Sequence, residues 1–264
     1  MLVPRPAVGI IRLNTDIWAG SAALIQAEIE AARQDPNIKA IVVQLNSPGG
    51  EVVATQAMYL ALQNLRREIP VVGSIDTMAA SGAYYAAMGT HPIYAKPSSS
   101  VGNVGVWAYI PEDLAVNDVI LASGPFKLTG SNREEFLREL EGIKQEFLAT
   151  VFTQRSEDAD VTKPLSLTAE ELSKGLLYPG REALRVGLID YIGTQTEAIE
   201  KATEQAGIAH YSVVDLESRV LVPFPFNAPF FGETWVGAAD PMTGERTLPY
   251  GIYLLYDLYL RSAP

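Results

Sequence analysis

Short, mainly apolar runs alternate, along the first hundred residues, with stretches whose apolar positions recur every three or four. Val8 to Leu13, Ala40 to Leu45 and Val71 to Ile75 are runs rich in β-branched residues, the pattern of strands buried on both faces. Between them, Ser21 to Asp35 places Leu24, Ile25, Ile29 and Ala32 on one helical face and is stopped by Pro36-Asn37. Val52 to Glu68 places Met58, Leu62 and Leu65, with the following Ile69, on another. Ser81 to Met88 reads as a short helix and Pro92 to Ala95 as a further strand. This alternation predicts an α/β fold with a mostly parallel sheet and right-handed crossovers.

Further on, Phe136, Leu140, Ile143, Phe147 and Val151 form an apolar stripe on a long helix from about Asn132 to Arg155. Thr168-Ala169-Glu170-Glu171 and Thr194-Gln195-Thr196-Glu197 are capping boxes, the second opening a helix that runs to Ala206. From Leu216 the character changes. Pro223, Pro225 and Pro229 interleave with Phe224, Phe226, Phe230 and Phe231. Met242 to Glu245 reads as a turn, and Tyr250 to Leu260 is apolar and tyrosine-rich. The chain is therefore divided into a core domain, residues 1–215, and an irregular aromatic extension, residues 216–264, expected to serve as an assembly arm or groove element.

The 264 residues suffice for a sizeable core, and 48% hydrophobic against 19% charged residues describe a globular chain. A net charge of −11 argues against a nucleic-acid partner. There is no cysteine, and the two histidines, His91 and His210, are too few for a histidine metal site, so neither metal nor cofactor is expected. No apolar run reaches membrane-spanning length and Met1 to Pro6 has no signal-peptide core. The expectation is a chain soluble as given, touching a membrane only through its substrate or through an anchor outside this sequence.

The chemistry is concentrated in two segments. Asn46-Ser47-Pro48-Gly49-Gly50 lies where a strand hands over to a helix, and its glycines bare backbone N–H groups of the kind an oxyanion hole needs. Ala79-Ala80-Ser81-Gly82 offers a hydroxyl at a helix start. Taken singly, the first reads equally well as a turn and the second better as an N-cap. A serine nucleophile also needs a base. His91 has no obvious aspartate to orient it, and His210 lies near the end of the core domain. Of the seven lysines, Lys39, Lys144, Lys163, Lys174 and Lys201 sit in polar faces or loops and Lys96 follows a strand. Lys127 stands apart in the otherwise uncharged loop Ser123 to Gly130, where partial burial would favour the neutral amine that a base requires.

Residues 8–208 resemble the signal peptide peptidase A family of Ser–Lys proteases, which share the crotonase-like fold of the Clp superfamily. The matching segments are NSPGGEV, AASGAYYAA, SGPFKLTGS, the stretch Ala95-Lys96-Pro97 through Val101 to Val106, and Tyr178 to Asp190. The resemblance implies Ser81 as nucleophile and Lys127 as general base, the N–H groups of Gly50 and Gly82 as oxyanion hole, and the strand at Pro48-Gly49 as the partner of an extended peptide substrate. It implies homo-oligomers, rings or domes, in which serine and lysine can come from neighbouring protomers. Where the family usually has a serine that holds the lysine, this chain has Asn103. The activity implied is cleavage of signal peptides or similar apolar segments. Two other readings stay open: a crotonase-fold enzyme acting on acyl thioesters, and a catalytically weak assembly protein.

Overall fold

A computed structural model describes residues 5–109, 123–124, 126–127, 130–156, 161–220 and 251–255. Strands β1 (Ala7–Leu13) and β2 (Ile38–Ser47) flank helix α1 (Ala19–Gln34). A three-residue strand β3 (Gly49–Glu51) leads into α2 (Val52–Arg66), and β4 (Val71–Ala80) leads into α3 (Gly82–Ala87) and β5 (Ile93–Ala95). Then come β6 (Ser100–Gly102), β7 (Trp107–Tyr109), α4 (Arg133–Gln154), α5 (Ala169–Leu172), β8 (Leu177–Pro179), α6 (Gly180–Val186), β9 (Tyr191–Ile192), α7 (Gln195–Ala206), β10 (Ser212–Asp215), α8 (Glu217–Val220) and β11 (Gly251–Leu255). The predicted helices and strands of the first hundred residues are all present. The stretch 221–250, with its Pro–Phe run and the expected turn at Met242 to Glu245, lies outside the described residues, as do 256–264.

The main sheet runs β10-β1-β2-β4-β5-β9, with every neighbouring pair parallel. Alternation along each strand sorts its side chains to two faces, which explains the mainly apolar runs. Ile11, Leu13, Ile41, Val43 and Leu45 join the large core beneath α1, α2, α3 and the end of α4. Val8, Ile10, Ala40 and Val42 join a smaller one with Ala198 and Ala202 of α7. Thr168 and Thr194 accept from the backbone of their first turns, and Glu171 and Glu197 reach back to them, so both capping boxes form.

The stripe of α4 is divided. Phe147 and Val151 are fully buried, and the Phe147 ring lies 4.9 Å from that of Tyr85. In the first half of the helix no residue is fully buried: Ile143 is half-buried against the large core, and Leu137 is 53% exposed. The C-terminal end of α4 is anchored by an ion pair, Arg155 Nη1 to Asp190 Oδ2 at 2.9 Å, with both side chains out of solvent. Arg155 Nε also donates to Gly187 O, and Asp190 Oδ2 accepts the Ile93 N–H at 2.8 Å.

Past residue 215 the chain stays attached to this body. Leu216 is fully buried, α8 lies on α1, and β11 joins a separate antiparallel sheet in the order β3-β11-β7.

Candidate active site

β2 and β4 are neighbours, and Ser47 stands opposite Ala79. Both glycine segment and serine therefore emerge at the carboxyl ends of adjacent parallel strands, the edge where open α/β sheets place their ligands. Ser81 follows β4 directly, 1% exposed, at the N-cap position of α3. Its φ of 51° and ψ of −120° are unfavourable for a residue with a Cβ. Its N–H donates to Gly102 O at 2.8 Å, and its carbonyl accepts the first helical bond from Tyr85. Its side chain makes no capping bond. The N-cap reading of this serine thus fails: the backbone is held in a strained turn and the hydroxyl does nothing for the helix. Gly82, next in line, has an N–H at the first helical position, where α-helices leave donors unpartnered.

The glycine segment is built for close approach. Gly49 has φ 102° and receives Ser47 Oγ as acceptor for its N–H at 3.2 Å. Gly50 forms a bridge with Ile17: Ile17 N–H donates to Gly49 O and Glu51 N–H to Ile17 O. A Cβ on Gly50 would lie 1.8 Å from Ile17 O. Gly50→Ala must therefore push the two strands apart. If Gly50 is the oxyanion donor that the resemblance implies, the expected result is a fall of at least about 100-fold in kcat, the scale of a lost donor, with about 1–3 kcal/mol of lost stability from overpacking. Normal turnover in this variant would remove Gly50 from the site.

The surroundings are apolar. Burial pushes the phenols of Tyr84 and Tyr85 up, and Tyr84 donates to Leu188 O at 2.7 Å. Burial also raises the Glu51 carboxyl, opposed by the N–H of Ala19.

The candidate bases separate clearly. His91, close to Ser81 in sequence, lies at the other end of β4, where its backbone N–H donates to Val71 O; contrary to expectation an aspartate does face its ring, Asp190 Oδ2 at 3.9 Å from Nδ1, but far from the serine. Ten residues of strand put it roughly 30 Å from the serine. His210 precedes β10 at that same far edge and is exposed. A shallow cavity of about 1110 Å³ lined by Arg66, Val71 and His91 also lies there, away from Ser81. Lys96 is paired with Asp76, Lys144 with Glu141 and Lys201 with Glu204. Lys127 is exposed rather than partly buried, in a turn closed by its N–H to Gly124 O, and the structure shows no hydrogen bond from it to Ser81 or Asn103. Asn103, at φ 54°, sits one residue beyond the Gly102 carbonyl that holds Ser81. Its side-chain amide donates to Gly175 O at 2.7 Å and its backbone N–H to Leu176 O. The structure thus brings Ser81, Gly82, Gly49, Gly50 and the backbone beside Asn103 to one edge, and among the described residues joins none of them to Lys127 by a hydrogen bond.

The family-wide sequence pattern of peptidase family S49 matches residues 63–209, more than half of the chain, and that of Clp protease matches residues 7–101. The chain belongs to peptidase family S49. It is 31% identical to a Synechocystis sp. protein named "Putative protease slr0021", over 77% of this chain and 76% of the relative. It is 26% identical to the chloroplastic serine protease SPPA of Arabidopsis thaliana, over 96% of this chain but only 41% of that protein. Its fold is that of a membrane-bound stomatin-specific protease solved with a substrate peptide, at a TM-score of 0.53 and 23% identity, covering 76% of this chain and 81% of that one. The S49 chain is thus a serine peptidase with the Clp/crotonase-like fold. Among the described residues no helix is long and apolar enough to cross a membrane.

Proposed function

We propose that this S49 peptidase is an endopeptidase with a Ser81–Lys127 dyad, cleaving signal peptides or similar apolar segments through an acyl-enzyme. The observation that carries the reading is the strained, buried Ser81 at the end of β4, with its hydroxyl unused by the helix it opens. Ser81 Oγ attacks the scissile carbonyl while Lys127 takes its proton. The N–H groups of Gly50 and Gly82 receive the negative charge that develops on the carbonyl oxygen. As the C–N bond breaks, Lys127 returns a proton to the leaving amine. Water, deprotonated by the same lysine, then hydrolyses the ester. Asn103 borders this site and positions the segment around it through Gly175, so a serine there would give up that tie as well as a residue tolerant of positive φ.

Lys127 is exposed and precedes the half of α4 in which no residue is fully buried. Both facts favour delivery of the lysine from one protomer to the Ser81 of a neighbour in a homo-oligomer. Lys127→Ala should then be as inactive alone as Ser81→Ala, because the two act as one unit. Mixed assemblies of the two variants should regain activity, at about a quarter of the unaltered level for random mixing in a ring. Assays of an apolar signal-peptide substrate with each variant and the mixture are the test. Inactive mixtures would place both groups in one chain, and an active Lys127→Arg variant would rule the lysine out as base, since arginine stays protonated.

A further inference from the structure

β3 carries Gly49 and Gly50 and leads directly into α2, and its two edges are both in use among the described residues. On one edge Ile17 takes Gly49 O and Glu51 N–H. Backbone groups alternate along a strand, so the N–H and C=O of Gly50 point to the other edge. There β11 is paired antiparallel, with Leu255 opposite Gly49, Leu254 opposite Gly50 and Tyr253 opposite Glu51. The far edge of β11 is paired with β7, Tyr253 opposite Trp107. α3, which Ser81 opens, lies against both β3 and β11. A strand from the tail thus fills the slot between β3 and β7 and meets the backbone group assigned above to the oxyanion hole.

We propose that Gly251–Leu255 is a tethered occupant of the peptide-binding edge, with Leu254 in the place of the substrate residue whose carbonyl is attacked. This rests on the reading of Gly50 as an oxyanion donor. An extended peptide adds to a sheet by the same main-chain bonds that β11 makes, so substrate and tail compete for one edge. The sequence Gly-Ile-Tyr-Leu-Leu is uncharged, and the substrates that compete with it are apolar. Tethering gives the tail a local concentration of about millimolar, so a free peptide of similar affinity is largely excluded. The enzyme is held closed by its own chain until the tail is displaced.

The test uses full-length chains carrying Ser81→Ala, so that no cleavage enters. Leu254→Pro removes an N–H from the middle of the central strand of this small sheet, a position proline does not tolerate. Hydrogen exchange at the Gly50 amide should be slow in the unaltered tail. In Leu254→Pro it should be faster by about 100-fold or more, while amides of Ile41 to Val43 stay protected and report an intact body. A fluorescent heptapeptide with the sequence of residues 250–256 should bind the Leu254→Pro chain at least about tenfold more tightly than the unaltered one and slow the Gly50 amide again. Fast Gly50 exchange in the unaltered chain overturns the proposal, whatever the variant does. So does equal affinity of the two chains for the peptide. Neither result depends on peptidase activity, so a failure of the dyad assignment and a failure of this proposal are distinguishable.

Discussion

Ser81→Ala is expected to reduce peptide cleavage by about 10⁴–10⁶-fold, to the level of contaminating background, with the fold unchanged. The side chain makes no capping bond, so its loss removes no support from α3. The backbone bonds at this position, to Gly102 O and from Tyr85 N–H, remain available to alanine. Ser81→Gly sharpens the test. Glycine adopts φ 51° without the strain that a Cβ imposes, so this variant should unfold at the same temperature as the unaltered chain or above it, and be equally inactive. Thermal unfolding beside fluorophosphonate labelling reads both effects. Retained labelling in Ser81→Gly would identify another serine as the nucleophile. A large loss of stability in both variants would restore a structural role to this hydroxyl.

Asp190→Ala should have a large effect on stability although it lies away from the site. Its carboxylate pairs with Arg155 and accepts the N–H groups of Ile93, at 2.8 Å, and of Thr162, at 3.4 Å. Removing it leaves the Arg155 guanidinium charged, 1% exposed and holding only the Gly187 carbonyl. Breaking a buried pair in this way costs about 3–5 kcal/mol, or roughly 10 °C in Tm for a chain of this size. The double variant Asp190→Leu/Arg155→Met, with no charge left behind, should recover much of that loss. A drop of under about 1 kcal/mol in Asp190→Ala, measured by urea unfolding, would show that water reaches the arginine.

The parts of this protein legible in its sequence are those governed by local rules. The mainly apolar runs of β1, β2 and the first half of β4 announce strands covered on both faces, and α1, α2 and α7 announce themselves by periodicity and caps. The placement of Gly50 and Ser81 at strand ends follows from the same pattern, because each motif closely follows such a run. The short strands β3, β6, β8 and β9 have two or three residues each, too few to carry any period. They exist because a neighbouring strand supplies their partners. Chain distance also misleads at His91, which lies ten residues from Ser81 in sequence but is carried by α3 back to the opposite end of the sheet. The Arg155–Asp190 pair joins residues 35 apart that no motif links. The tail is the clearest division between the two levels. Its composition alone determines that it is too apolar to be left in water. Which edge Gly251–Leu255 covers was decided only by the unpaired backbone that Ile17 leaves on the far side of Gly50, a property of three segments brought together by the fold.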